Sequence, residues 1–132
     1  MTKHLAIFSD KLAGKVLSGL KTVDFRFSDT KKAPFLKLSR NDLVYLKNVS
    51  EPIIGQTEVE NVLYFENLKK TEIKSLIKRY CIFCGIDRKE LEKYAGKYRY
   101  LSIIFFCHTR RFLSPVKIKK RDRRPWITDF KF

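Results

Sequence analysis

The sequence predicts an α+β domain: a small mixed, mostly antiparallel sheet closing toward a barrel, with helices at its side or ends. Three observations lead there. Leu12, Ala13, Val16, Leu17 and Leu20 recur at helical spacing, and so do Ile73, Leu76, Ile77 and Tyr80. Between these stripes, Thr22 to Phe27 alternates polar and apolar residues as a half-buried strand does. The resulting order, β-α-β-β-β-α-α-β-β, lacks the regular alternation of a parallel α/β sheet.

Each element has a local reason. Leu5 to Phe8 is a short apolar run and reads as a strand, and Ser9 and Asp10 are good N-cap residues for a helix from about Asp10 to Leu20. Gly19 suits the end of that helix. In the next strand Val23, Phe25 and Phe27 share one face, while Thr22, Asp24 and Arg26 share a polar one. Asp29 to Arg40 is a basic loop containing Pro34. Asn41-Asp42 turns into a strand at Leu43–Leu46, and Ile53 to Phe65 holds one or two strands with a bulge or bend at Gly55. Lys69 to Tyr80 is helical. Asp87 and Glu90 form a capping pair for a helix that buries Leu91, Tyr94 and Ala95 and stops at Gly96. Tyr98 to Cys107 reads as a central strand, Pro115 as loop, and Val116-Lys117-Ile118 as a last strand. Residues 1–118 thus form the domain, and 119–132 a basic aromatic tail.

The chain has 132 residues, of which 44% are hydrophobic and 33% charged. That composition excludes a disordered or collagen-like chain. No apolar run approaches the roughly 20 residues of a membrane span, and the N-terminus lacks a secretory signal, so the expected location is cytoplasmic. The net charge is +15, against roughly 2 to 8 in magnitude for a small domain. Such an excess points to a polyanionic partner, nucleic acid first. Eight cations fall between Arg110 and Arg124, with Asp122 the sole acid: Arg110, Arg111, Lys117, Lys119, Lys120, Arg121, Arg123 and Arg124. Phe112 and Trp126 lie among or beside them. Cations that follow phosphates beside aromatics that stack bases suit single-stranded nucleic acid. A solvated tail, or a Trp126 lid docked on the barrel, is the plainer reading.

Three cysteines, an odd number, argue against a disulfide framework. Cys81-Ile82-Phe83-Cys84 has metal-ligand spacing, but Ile82 and Phe83 read as buried packing. Cys107 and His108, adjacent on a strand, should point to opposite faces. The expectation is free thiols, no metal and no cofactor.

The segment Gly19-Leu20-Lys21-Thr22-Val23-Asp24-Phe25-Arg26 resembles the signature of the ASCH family, within the PUA-like superfamily: Gly-x-Lys-x-x-Glu-x-Arg at a helix–strand junction. Gly19, Lys21 and Arg26 match, and Asp24 replaces Glu. Asn41 to Leu46 is similar to the family's Gly-Asp-x-Val strand, with Asn41 in place of Gly. Ile53-Ile54-Gly55 with Val59 and Val62 is similar to its next strand pair. The resemblance spans residues 5 to 118. It implies a PUA-like barrel, a cleft lined by the motif, and RNA as partner, with DNA second. Lys21 and Arg26 would contact phosphate, Arg26 in bidentate fashion, while Asp24 and Thr22 supply polar recognition. Taken without the resemblance, the same residues read as an ion pair on a solvated face.

Some members of the family hydrolyse an acetyl amide on modified cytidine, and others are ribonucleases, so an enzyme is the rival reading. The amidohydrolases carry a threonine where this chain has Asp24, and a glutamate in a region that here, from Cys81 to Asp87, has none. An amidohydrolase would have to use Thr22 beside Lys21 and Asp24. A ribonuclease would need His4 or His108 as acid–base groups. A protein-interaction module for an acidic partner is the third reading.

Overall fold

The computed structural model describes residues 1–119 and 123–132. Among these residues, six strands form one mixed sheet: β1 (Lys3–Phe8), β2 (Val23–Ser28), β3 (Leu43–Asn48), β4 (Ile53–Glu66), β5 (Tyr100–Val116) and β6 (Trp126–Thr128). The strand order is β2-β5-β4-β3-β1-β6. Only β1 and β3 run parallel; the other pairs are antiparallel. The sheet curls into a half-barrel. Among the described residues no helix is long and apolar enough to cross a membrane.

Alternation along the strands divides the side chains between lumen and exterior. Ala6 and Phe8 of β1, Val44 and Leu46 of β3, Val59, Ile104, Phe106 and Trp126 pack with Leu12, Ala13 and Val16 of helix α1 (Leu12–Leu17). On the outside, Val23 and Phe25 of β2 and Leu101 and Ile103 of β5 meet Ile73 and Ile77 of helix α2 (Lys70–Tyr80). Leu91 of helix α3 (Arg88–Glu92) and Ala95 complete that layer. Leu5, Ile7, Leu43, Tyr45 and Ile53 form a third cluster, covered by Phe112, Ile118, Ile127 and Phe130.

Most expected elements are present, with informative differences. Helix α1 is shorter than its apolar stripe, and Leu20 is exposed. Ser9 and Asp10 do not cap it. Its N-cap position is Lys11, in a left-handed conformation, and a remote side chain takes over: Ala13 N donates to Asn48 Oδ1 at 3.0 Å. Asp87 does cap α3, its carboxylate accepting from Lys89 N at 3.2 Å. Ile82 and Phe83, expected as packing, lie in a 3₁₀ turn at Cys81–Phe83 and are 77% and 56% exposed. Tyr94 is exposed rather than buried.

The C-terminal third differs most. Pro115 lies within β5, which runs unbroken to Val116, so Val116–Ile118 is not a separate strand. The last strand is β6, from the segment expected to be a tail. It pairs with β1 through His4–Thr128, Leu5–Ile127 and Ala6–Trp126. Lys120 and Arg121 lie outside the described residues.

Gly55 stands where β4 shifts register against β5. A Cβ there would lie 2.6 Å from the Arg110 carbonyl oxygen and 2.5 Å from Leu17 Cδ2. Backbone cannot yield as a side-chain tip can, so Gly55→Ala should cost about 2 kcal/mol in urea unfolding. Gly14→Ala, with open space around its Cβ position, should cost nothing and serves as the control.

Candidate functional site

The motif residues do come together, but inside the molecule. Gly19, with φ +83°, ends the helical segment and turns the chain toward β2. Lys21 then enters the interior and is 0% exposed. Its Nζ donates to the carbonyls of Val23 (2.9 Å) and Cys84 (2.5 Å) and lies 3.2 Å from Asp24 Oδ1. Three acceptors engage the three ammonium protons. The lid over this lysine is the loop after the 3₁₀ turn: Lys15 Nζ donates to the Gly85 carbonyl, and Thr22 N to the Phe83 carbonyl. Lys21 therefore faces no open cleft, and the direct contact with phosphate expected of it is not available to its buried ammonium. Thr22 is half-buried, and its backbone is bonded on both sides, to Phe83 and Phe106.

Asp24 links the network outward. Its other oxygen, Oδ2, accepts from Arg26 Nε at 2.6 Å. Burial alone would raise the Asp24 pKa, but the charges and hydrogen bonds of Arg26 and Lys21 outweigh it and hold it below the ordinary carboxylate value. The Arg26 guanidinium lies between the rings of Phe8 and Trp126, at 4.8 and 5.3 Å from their centroids. It also donates to the carbonyls of Ile7 (3.3 Å) and Pro125 (3.4 Å). Here the topology gives the motif its meaning. β2 is one edge of the sheet and β6 the other, and Arg26 reaches from β2 to β1 and to the residue that enters β6. The side chain spans the seam that backbone hydrogen bonds leave open.

The expected polar, solvated face of β2 is thus a lumen face. Alternation identified the two faces correctly. Helices cover the outer one and the curl of the sheet covers the inner one, so both are dry.

Trp126 is 1% exposed. Its indole N–H donates to His4 Nδ1 at 3.3 Å. With that nitrogen accepting, His4 Nε2 donates to Asp42 Oδ2 at 2.9 Å. Asp42 also accepts from Thr2 N and Ser39 N. Burial raises the Asp42 pKa, but these hydrogen bonds lower it overall. Trp126 is a docked lid of the barrel and offers no face to a base. His4, fully buried with both ring nitrogens engaged, is not an acid–base group for a solvent-borne substrate.

The described cations of the basic segment fall into three groups. Arg110 and Arg111 are exposed on β5, opposite Gln56 and Gly55. Lys119 and Arg124 are exposed on the C-terminal segment. Lys117 and Arg123 line a groove of about 640 Å³ together with Ile7, Lys47, Glu51 and Ile118. Lys47 was not singled out by sequence. It follows the apolar run Leu43–Leu46 in β3, and its Nζ donates to the Asn48 carbonyl at 3.0 Å. Its position after an apolar run was the available signal. Among the described residues that line the groove, three cations stand against the one carboxylate of Glu51. Ile7 joins it to the seam, since its carbonyl accepts from Arg26.

The three cysteines are free. Cys84 is buried, its Sγ donating to the Cys81 carbonyl at 2.9 Å, and burial raises its thiol pKa.

No protein-family model and no curated protein matches the chain by sequence. Its fold does match solved structures. The ASCH protein from Zymomonas mobilis aligns over 88% of this chain and 73% of its own, with 14% identity and a TM-score of 0.69. A point mutant of the same protein gives a TM-score of 0.71 at 14% identity, over 89% of this chain and 77% of its own. The N-terminal domain of Staphylothermus marinus McrB aligns over 87% of this chain and 76% of its own, with 13% identity and a TM-score of 0.52. The half-barrel, its flanking helices and these alignments agree, and the chain has the ASCH-type, PUA-like fold.

Proposed function

We propose that this domain binds RNA through phosphate contacts in the groove beside the barrel seam. The observation that carries the reading is the convergence of Lys117 and Arg123, from the basic C-terminal region, with Lys47 on one positive groove. Cations gathered on one surface release counterions when they meet a polyanion. The fold supports the same reading by analogy, through the family's expected partner. Lys21, Asp24 and Arg26 serve this site as positioning residues. They hold β2, the end of β1 and the entry to β6 in register, and so set the groove's wall. Lys119 and Arg124, with Arg110 and Arg111 on β5, extend the positive surface. Base stacking is not assigned to Trp126, which is buried.

The test is fluorescence anisotropy with matched single-stranded RNA, double-stranded RNA and single-stranded DNA over a salt series. If about six phosphates of a single strand are engaged, log K against log salt should slope by roughly −4. Lys117→Ala/Arg123→Ala should make that slope shallower by about 1.4. RNA should bind more tightly than DNA. A slope near zero, or a double variant that binds like the parent, overturns the groove. Equal binding of DNA overturns the RNA preference alone.

A further inference from the structure

A second cluster lies away from this groove, on the β4–β5 ladder. Glu58 pairs with Cys107 and Gln56 with Arg110, so two residues of β5, His108 and Thr109, oppose the single residue Thr57. That extra residue is a β-bulge. His108 takes φ +52° within it. The strict alternation that would send Cys107 and His108 to opposite faces is broken at this point. Cys107 Sγ comes to 3.7 Å from His108 Nδ1, and His108 Nδ1 to 2.5 Å from Glu58 Oε2. One donor atom from each of the three residues lies within 4.8 Å of the others.

We propose that Glu58, Cys107 and His108 form a binding site for a thiophilic divalent cation of the zinc class. Zinc bonds of 2.0 to 2.3 Å in tetrahedral geometry set ligand atoms about 3.3–3.8 Å apart. The sulfur–nitrogen pair already has that spacing. The nitrogen–oxygen pair stands closer, at 2.5 Å, and has to open by about 1 Å. His108, whose side chain is 78% exposed, is free to swing that far. Thiolate, imidazole and carboxylate together select zinc-class ions over magnesium or calcium. The charge setting agrees: Glu60 acts on Cys107 through space beside Glu58, against Arg40, making a local acidic spot on a chain of net charge +15. On binding, Cys107 gives its thiol proton to the buffer and the ion takes the place of the His108–Glu58 hydrogen bond. Three protein ligands leave the fourth position to water.

Cobalt is the probe, because a thiolate on tetrahedral Co²⁺ gives a charge-transfer absorbance that zinc then displaces. The full chain, stripped with chelator and kept reduced, is titrated with Co²⁺. One ion per chain should bind with that band. Cys107→Ser should abolish the band, and Cys81→Ser should leave it intact. Glu58→Gln and His108→Ala should each weaken binding by about 100-fold or more. Circular dichroism checks each variant. Should Cys107→Ser fail to fold, His108→Ala, on an exposed side chain, carries the same test. Absence of the band, parent-like binding by His108→Ala, or a band lost in Cys81→Ser would overturn the site.

Discussion

Asp24→Ala should lower the unfolding free energy by about 3–5 kcal/mol, because it removes the acid that compensates the buried Lys21 and the partly buried Arg26. Lys21 is fully buried and would keep only carbonyl partners. Arg26 would lose its shortest bond. A buried ion network is not in itself a source of stability, since its desolvation is expensive. Breaking it by removing one member is what costs. Urea unfolding of the parent and the variant measures the difference. A loss under about 1 kcal/mol would show that the network is solvated and the variant's cations rehydrate. The pH dependence has a definite sign. The folded-state pKa of Asp24 lies below its ordinary value of 3.8. Its contribution is therefore fully present above the unfolded pKa and is lost as pH falls through the folded one. The gap between parent and variant should hold from neutral pH to about 4 and narrow in more acidic solution. Asp42, also lowered, adds acid sensitivity of the same sign to both proteins.

Trp126→Ala should cost a similar amount, about 3–5 kcal/mol, with a more local signature. Three contributions disappear together: the packing of the chain's one tryptophan in the lumen, the N–H donated to His4, and the ring beneath Arg26. β6 has only three residues paired to β1, so its own ladder cannot hold it. Amide exchange should show protection lost at Ile127 while the centre of β5 stays protected. Trp126→Phe keeps most of the packing and leaves His4 Nδ1 without a donor, for a loss of about 1–2 kcal/mol. Because Arg123 precedes this strand and lines the groove, Trp126→Ala should also weaken the RNA binding proposed for that groove, without removing a cation. A variant with full stability, or one that loses protection evenly over the sheet, would contradict this role for Trp126.

Much of this molecule was legible in its residues. The apolar stripe from Ile73 to Tyr80 marked α2, and its two most buried members are those facing the sheet. Asp87 marked the start of α3. Gly55 marked a register shift, because only a side chain of no size fits against the Arg110 carbonyl. The motif around Lys21 pointed to the right family of folds, and Lys21, Asp24 and Arg26 are in fact joined. Its location was not legible. Periodicity separates two faces of a strand; it does not say whether water or protein covers the second one. The polar face of β2 therefore read as solvated, although it lines the lumen.

The same limit explains the other differences. Ser9 and Asp10 have the chemistry of caps, but α1 is satisfied by Asn48, which is distant in sequence. The bulge at His108 has no local marker, since a histidine in a left-handed conformation looks like any other histidine in a string of letters. It gathers Glu58 with Cys107 and His108 against the alternation rule.

Helix positions, the strand alternation, the turn glycines and the excess of positive charge follow from short-range residue order, because capping, propensity and period are properties of neighbours. The seam held by Arg26, the burial of Lys21 and Trp126, the return of the C-terminal segment to β1 and the grouping of Lys47 with Lys117 and Arg123 follow from packing. Each joins residues far apart in the chain, and only the curl of the sheet brings them within bonding distance.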